Sequence, residues 1–135
     1  MIAIVCVDDS LGMIFNNRRQ SRDIVLTQKI VELVSSSRLL INEFSRTLFA
    51  SFNSDNIIVD DNFLEAAGCG DFCFVENQHL TPYVDKIEQL IVFKWNRSYP
   101  SDFSLDLELS KYILTDSLEF EGNSHDKITM EVYKI

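Results

Sequence analysis

The sequence predicts a single α/β domain, residues 1–135, in which a mainly parallel central sheet is flanked by helices and extended by a C-terminal antiparallel strand pair. Three features point there: a buried apolar run at the start, short apolar runs alternating with helical stretches through the first half, and longer strand patterns towards the C-terminus. The opening Ile2–Val7 is continuously apolar, as a strand covered on both faces must be, and Asp8, Asp9, Ser10 and Gly12 close it with a turn. Residues 16–21 read as a polar loop. Leu26, Ile30, Leu33 and Val34 then share one helical stripe, which predicts a helix from about Ser21 to Ser35. Serines 35–37 end it, Leu39–Ile41 is a short buried strand, and Glu43–Ala50 predicts a second helix. Asn56–Val59 reads as a third strand between Asp55 and the Asp60–Asp61 pair, and Asn62–Ala67 as a short helix stopped by Gly68 and Gly70. Phe72–Val75 is the fourth strand. Strands separated by helical segments imply right-handed crossovers and parallel pairing, with Ile2–Val7 inside the sheet. Further on, Ile87–Trp95 is long and apolar and Tyr112–Phe120 is strand-like. Ile128, Met130 and Val132 alternate with Lys127, Thr129, Glu131 and Tyr133, a strand with one wet face. Residues 121–125 supply the turn of the closing antiparallel pair.

Composition narrows the function classes. With 46% hydrophobic residues, ten Phe, four Gly and two Pro, the chain is that of an ordered domain with an aromatic core. A formal net charge of −9 argues against nucleic acid and anionic membrane surfaces as partners, because phosphate binding relies on clustered Lys and Arg. Asp8 and Asp9 follow the first apolar run at once, without the basic flank or cleavage site of a signal peptide, so a cytoplasmic location is expected. The three cysteines make no disulfide framework. No phosphate-binding loop, nucleophile elbow or zinc-protease motif is present, and the two histidines, His79 and His125, do not supply the His-x-His-x-Asp-His cluster of a metal-dependent ribonuclease.

Several stretches in this order resemble the dihydrofolate reductase family. Ile4-Val5-Cys6-Val7-Asp8-Asp9-Ser10-Leu11-Gly12-Met13 is similar to its first strand and the loop that follows, and Arg22-Asp23-Ile24 to the acidic start of its first helix. Tyr83–Val92, Tyr112–Phe120 and Ile128–Lys134 resemble its later strands. The resemblance implies a dihydrofolate reductase-like fold for the whole chain, with Asp23 where the family binds the amino and ring N–H groups of a pterin. The family also holds NADPH through a Gly-Arg-x-Thr stretch and a Gly-Gly pair. Here those positions read Ile41-Asn42-Glu43-Phe44-Ser45-Arg46-Thr47 and Phe74-Val75-Glu76-Asn77-Gln78. Glu76 puts a side chain and a negative charge where backbone must approach a pyrophosphate, and Glu43 puts a carboxylate at a helix start where a phosphate would lie, with Arg46 as partial compensation. Residues 76–82 leave little room for a cofactor helix, so no bound cofactor is expected, NADPH being the alternative.

Asp23 is the candidate catalytic or ligand-binding carboxylate; its competing reading is a helix cap, a role in which Asn serves as well, so that Asp23→Asn should leave the fold largely intact. Arg18, Arg19 and Arg22 form the basic cluster of an acidic chain. Guanidinium pairs suit a carboxylate or phosphate, so Arg18 and Arg19, with Gly12 and Met13 of the loop, are candidate ligand-binding residues facing the acidic tail of a ligand; the competing reading is a solvated loop. The family's Pro-Trp pair near here is replaced by Arg19-Gln20 and their neighbours. Cys69 and Cys73, with His79 nearby in sequence, read as ordinary core thiols sooner than as metal ligands, and the Asp8–Asp9 and Asp60–Asp61 pairs as turn formers. Three functions compete: a reductase-like domain without tight NADPH binding that binds a small heterocycle or a protein, an NADPH-dependent reductase of a pterin or related heterocycle, and a non-catalytic homo-oligomer joined through a sheet edge or apolar patch.

Overall fold

The computed structural model describes residues 1–52 and 54–135. In chain order its strands and α-helices are β1 (Ile2–Val7), β2 (Gly12–Phe15), β3 (Arg18–Arg19), α1 (Ile24–Leu33), β4 (Leu39–Ile41), β5 (Ile57–Val59), α2 (Phe63–Ala66), β6 (Phe72–Phe74), β7 (Gln89–Lys94), β8 (Phe103–Ser104), β9 (Ile113–Phe120) and β10 (Ile128–Lys134). Shorter 3-10 helices cover Glu43–Phe49, Thr81–Lys86 and Leu109–Lys111.

Seven strands form the main sheet in the order β5-β4-β6-β1-β7-β10-β9. β1 pairs in parallel with β6 and with β7, in registers that place Ala3 beside Cys73 and Leu90, and Ile4 beside Phe74 and Ile91. Sheet neighbours on both edges and helices on both faces explain its continuous apolar run. Ala3, Val5 and Val7 share one core layer with Leu90, Val92 and the α2 residues Phe63 and Leu64. Ile4 belongs to the opposite layer, with Leu26, Ile30 and Val34 of the α1 region and Leu48 and Phe49 of the first 3-10 helix. β10 runs antiparallel to both β7 and β9, and a register irregularity between Val132 and Tyr133 interrupts the β9–β10 ladder. No helix among the described residues is long and apolar enough to cross a membrane.

Three of the expected local elements are redrawn by the structure. The first helix begins at Ile24 rather than Ser21, because Asp23 adopts extended backbone, φ −152° and ψ 123°, and caps it. Glu43–Phe49 winds as a 3-10 helix, capped by the Asn42 side chain on the Ser45 amide. The polar loop at 16–21 is in part a hairpin: Asn16 and Asn17 both take positive φ, 52° and 61°, as a two-residue turn of the mirror type requires, and Arg18–Arg19 returns against Phe15 and Ile14. β8 completes this small second sheet on the other side of β2.

Candidate functional site

The C-terminal end of β1 opens towards β3, the start of α1 and the end of β7. Between them lies a cleft whose apolar wall comprises Met13, Leu26, Leu48, Phe74 and Trp95, and whose polar rim includes Arg19, Ser21, Arg22, Asp23 and Glu76. Its inner part encloses about 20 Å³, and a wider outer groove of about 310 Å³ adjoins it beside Arg22, Ile24, Leu48 and Asn123. Asp8, buried at the end of β1, shapes this corner. Its Oδ1 accepts from the amides of Gly12 (2.7 Å) and Ser10 (2.9 Å), and its Oδ2 from the amide of Tyr99 (3.1 Å) and Gln20 Nε2 (3.3 Å). Burial alone would raise the Asp8 carboxyl, but the amides of Tyr99, Gly12 and Ser10 outweigh it and hold it below its ordinary value.

Asp23 joins two distant parts of the chain. Oδ1 caps α1 through the amides of Val25 (2.9 Å) and Leu26 (3.4 Å) and accepts from the Asn123 amide at 2.9 Å. Oδ2 accepts from the Ser124 amide (2.8 Å) and Ser124 Oγ (3.1 Å) and lies 3.0 Å from His125 Nδ1. Burial would raise this carboxyl, yet the donors from Asn123, His125, Ser124 and Val25 together hold it well below the usual carboxylate range. Gly122 lets the turn come this close, since a Cβ there would sit 2.5 Å from Asp23 Oδ2. The His125 ring is buried and stacked on Trp95, with centroids 4.6 Å apart and planes at 28°. Its Nε2 lies 3.0 Å from Ser21 Oγ and 3.1 Å from the Tyr99 hydroxyl.

Across the cleft, Arg19 and Glu76 form a bidentate pair: Nε donates to Oε2 at 2.8 Å and Nη2 to Oε1 at 3.0 Å. Ser45 Oγ donates to the same Oε1 at 2.8 Å, and the Arg19 guanidinium also lies over the Phe44 ring and donates to the Phe44 carbonyl. Glu76 is buried at the end of β6, and its carboxylate holds the Arg19 guanidinium charged still more firmly than usual.

A comparison with solved structures finds a dihydrofolate reductase from Enterococcus faecalis, complexed with NADP(H) and RAB-propyl, that aligns over 98% of this chain and 94% of that one, with a TM-score of 0.69 and 9% sequence identity. The fold is that of dihydrofolate reductase. No family model matches the chain, and no curated protein matches it in sequence. At this identity the likeness extends to the arrangement of the elements, so the site must be judged from this chain's own side chains.

Within the dihydrofolate reductase fold, the residues singled out from sequence part company. Asp23, Arg19 and Met13 do converge on the cleft. Arg18 does not: it is exposed and borders a neighbouring groove with Phe15, Asn16 and Pro100, which Arg19 and Gln20 also line. In the cleft itself Arg19 stands without Arg18, and its guanidinium is already engaged by Glu76, so the two arginines do not jointly line the cleft. Gly12 serves packing, since a Cβ there would meet Ser101 Cβ at 2.6 Å and Gln20 Nε2 at 2.7 Å. Glu43 is exposed, pairs with Arg46 at 3.1 Å, and gives its amide to Asp61 Oδ1, which makes Asp61 a turn ligand of this fold. Cys69 is exposed beside Glu88 rather than a core thiol, because it sits in the turn after α2; Cys73 is buried against the Phe63 carbonyl, and the His79 ring lies tilted at 44° against Phe103 beside Asp106. Sequence reasoning missed Ser21, Tyr99 and His125; the last was legible only as a turn residue, 102 positions from its carboxylate partner.

Proposed function

We propose that this domain uses the dihydrofolate reductase fold without tight NADPH binding, and that its cleft at the C-terminal end of β1 takes a small organic ligand. The Arg19–Glu76–Ser45 cluster carries this reading. The resemblance brings dinucleotide phosphate to the position after β6, and there this chain has a buried carboxylate already matched to a guanidinium. The amide at the start of the 43–49 helix is likewise taken by Asp61. At both places the N–H donors that could meet a phosphate are already taken by carboxylates, whose negative charge opposes a phosphate, so the residues do not fit the cofactor. Residues 81–86 wind only as a short 3-10 helix, which adds no long helix N-terminus for a pyrophosphate. A titration with NADPH at near-physiological salt, followed through Trp95 fluorescence and calorimetry, is expected to show no saturation in the micromolar range. A micromolar dissociation constant overturns this reading in favour of the NADPH-dependent reductase.

A second reading, self-association, has its own observation. β9 is the free edge of the main sheet and leaves Ile113 66%, Leu114 50% and Leu118 45% exposed. The occupant that fits is β9 of a second copy, in antiparallel register about residue 117. That register sets Leu114 opposite Phe120 and Asp116 opposite Leu118, each pair on one face of the sheet, and no two carboxylates face each other. Light scattering after gel filtration is expected to give a dimer that Leu118→Lys converts to monomer; a monomer at high micromolar concentration of the parent chain rejects it.

A further inference from the structure

We propose that Ser21, His125 and Asp23 make the cleft an acyl-transfer site for a small ester or thioester, with Ser21 as nucleophile, His125 as general base and Asp23 as the positioning residue. The inference rests on the reading above that the cleft at the end of β1 is the ligand site.

The geometry forms a hydrogen-bonded line. Asp23 Oδ2 stands 3.0 Å from His125 Nδ1, and His125 Nε2 stands 3.0 Å from Ser21 Oγ. These separations suit a nucleophile, a base and a group that orients the base. The ionised Asp23 has no proton to give, so Nδ1 carries the one between them, and Nε2 is left as the acceptor between the Ser21 and Tyr99 hydroxyls. Stacking on Trp95 fixes the ring plane. The 122–125 turn is anchored to the start of α1 by the Asn123 and Ser124 amides on Asp23 and by Ser124 Oγ, which meets Asp23 Oδ2 and the Arg22 carbonyl. That task does not call for a basic nitrogen turned the other way, onto a hydroxyl at the rim of an apolar cleft.

The surroundings select the substrate class. The outer groove of about 310 Å³ beside Ile24, Thr27 and Leu48 has room for a short acyl chain, while Arg22, which forms no ion pair among the described residues, borders both cleft and outer groove and offers its guanidinium to a carboxylate or a developing oxyanion. Cys6 lies on the inner cleft wall, but burial pushes its thiol well up and Glu76 adds to the shift, so it is not the nucleophile. In the reaction Ser21 Oγ bonds to the acyl carbon and its proton passes to His125 Nε2. The bond from acyl carbon to the alcohol or thiol then breaks, and the departing group leaves with the electron pair and takes the proton from His125. Water repeats the sequence on the acyl-serine, with His125 again as base, and releases the carboxylic acid and a free Ser21.

The test treats the full chain with a fluorophosphonate probe and with p-nitrophenyl esters of short acids. The expected result is one probe adduct, mapped to Ser21, and ester turnover that falls about 100-fold in Ser21→Ala. Ser21 is half-exposed, so this variant should keep the parent's circular dichroism and melting temperature. Tyr99→Phe should retain the adduct on Ser21. Asp23→Asn, assayed below its melting temperature, should label at the same serine but at least ~10-fold more slowly, because His125 has lost the acceptor that fixes its tautomer. A folded parent chain without an adduct, an adduct on Tyr99 or Cys6, or equal turnover in Ser21→Ala overturns the proposal; equal labelling in Asp23→Asn removes Asp23 from it. NADPH saturation, measured separately, bears on the preceding reading and leaves the labelling result to stand or fall alone.

Discussion

Asp23→Ala is expected to lower the free energy of unfolding by about 3–5 kcal/mol, measured by urea denaturation at neutral pH. The change removes the cap of α1 and, at the same time, the acceptor shared by the amides of Asn123 and Ser124 and by His125 Nδ1. Buried donors without partners add their desolvation penalty to the lost cap. Asp23→Asn should fall between parent and Ala. Its amide oxygen can still cap the helix, but its NH2 group faces the Ser124 amide, donor against donor, so the sequence expectation of an intact fold is too generous. The dependence on pH has a definite sign. The native carboxyl lies well below its ordinary value, near 3.8, so its contribution is complete above that value and is lost as pH falls below it. The stability gap between parent and Asp23→Ala should therefore narrow from pH 5 towards pH 2. A gap that stays constant down to pH 2 would show that the charge of Asp23 contributes nothing.

The same contacts explain what the sequence discloses and what it hides. β1 is legible because two parallel neighbours and two helical layers demand an unbroken apolar run; β10 is legible as a strand, but its expected wet face is corrected, since Tyr133 is buried in the core layer of Ala3 and Val5 and Thr129, Met130, Glu131 and Val132 are all half-buried. Antiparallel closure by β9 follows from the polar turn at 121–125. β3 is hidden by its length: two arginines carry no period, and the informative signal was the Asn16–Asn17 pair before them, which tolerates positive φ. Asp23 was legible as a cap from local context, but its other partners arrive from a turn about 100 residues away, and nothing local encodes that. Glu76 was read from the sequence as a charge out of place for a phosphate, and the structure shows it paired. The cation it serves instead lies 57 positions earlier, and a sequence gives charges without their pairing. Long-range polar pairs are the part of a site that only the folded chain displays.

Arg19 and Glu76 supply the second large effect, and the one that decides how the cleft closes. Arg19→Ala leaves the Glu76 carboxylate, 8% exposed, with Ser45 Oγ as its remaining donor, and should cost about 3–5 kcal/mol. Glu76→Gln in the parent should cost less, since an amide can still accept from Ser45 and from one guanidinium N–H. Combining the two should be milder than their sum, because the second change removes the charge that the first had stranded, and a coupling energy of about 1.5–3 kcal/mol is expected from the cycle. The bidentate geometry and the stacking of Arg19 over Phe44 make Lys a poor replacement at this position. Functionally, the pair spans the cleft between β3 and the end of β6, so a chain lacking both groups should exchange small ligands faster at the inner cleft even where its stability is partly restored. Additive single changes, with coupling near zero, would mean that the bridge stands open in solution and that the Glu76 carboxylate is already hydrated, in which case the inner cleft is wider than about 20 Å³ and Arg19 is free to meet an anionic ligand after all.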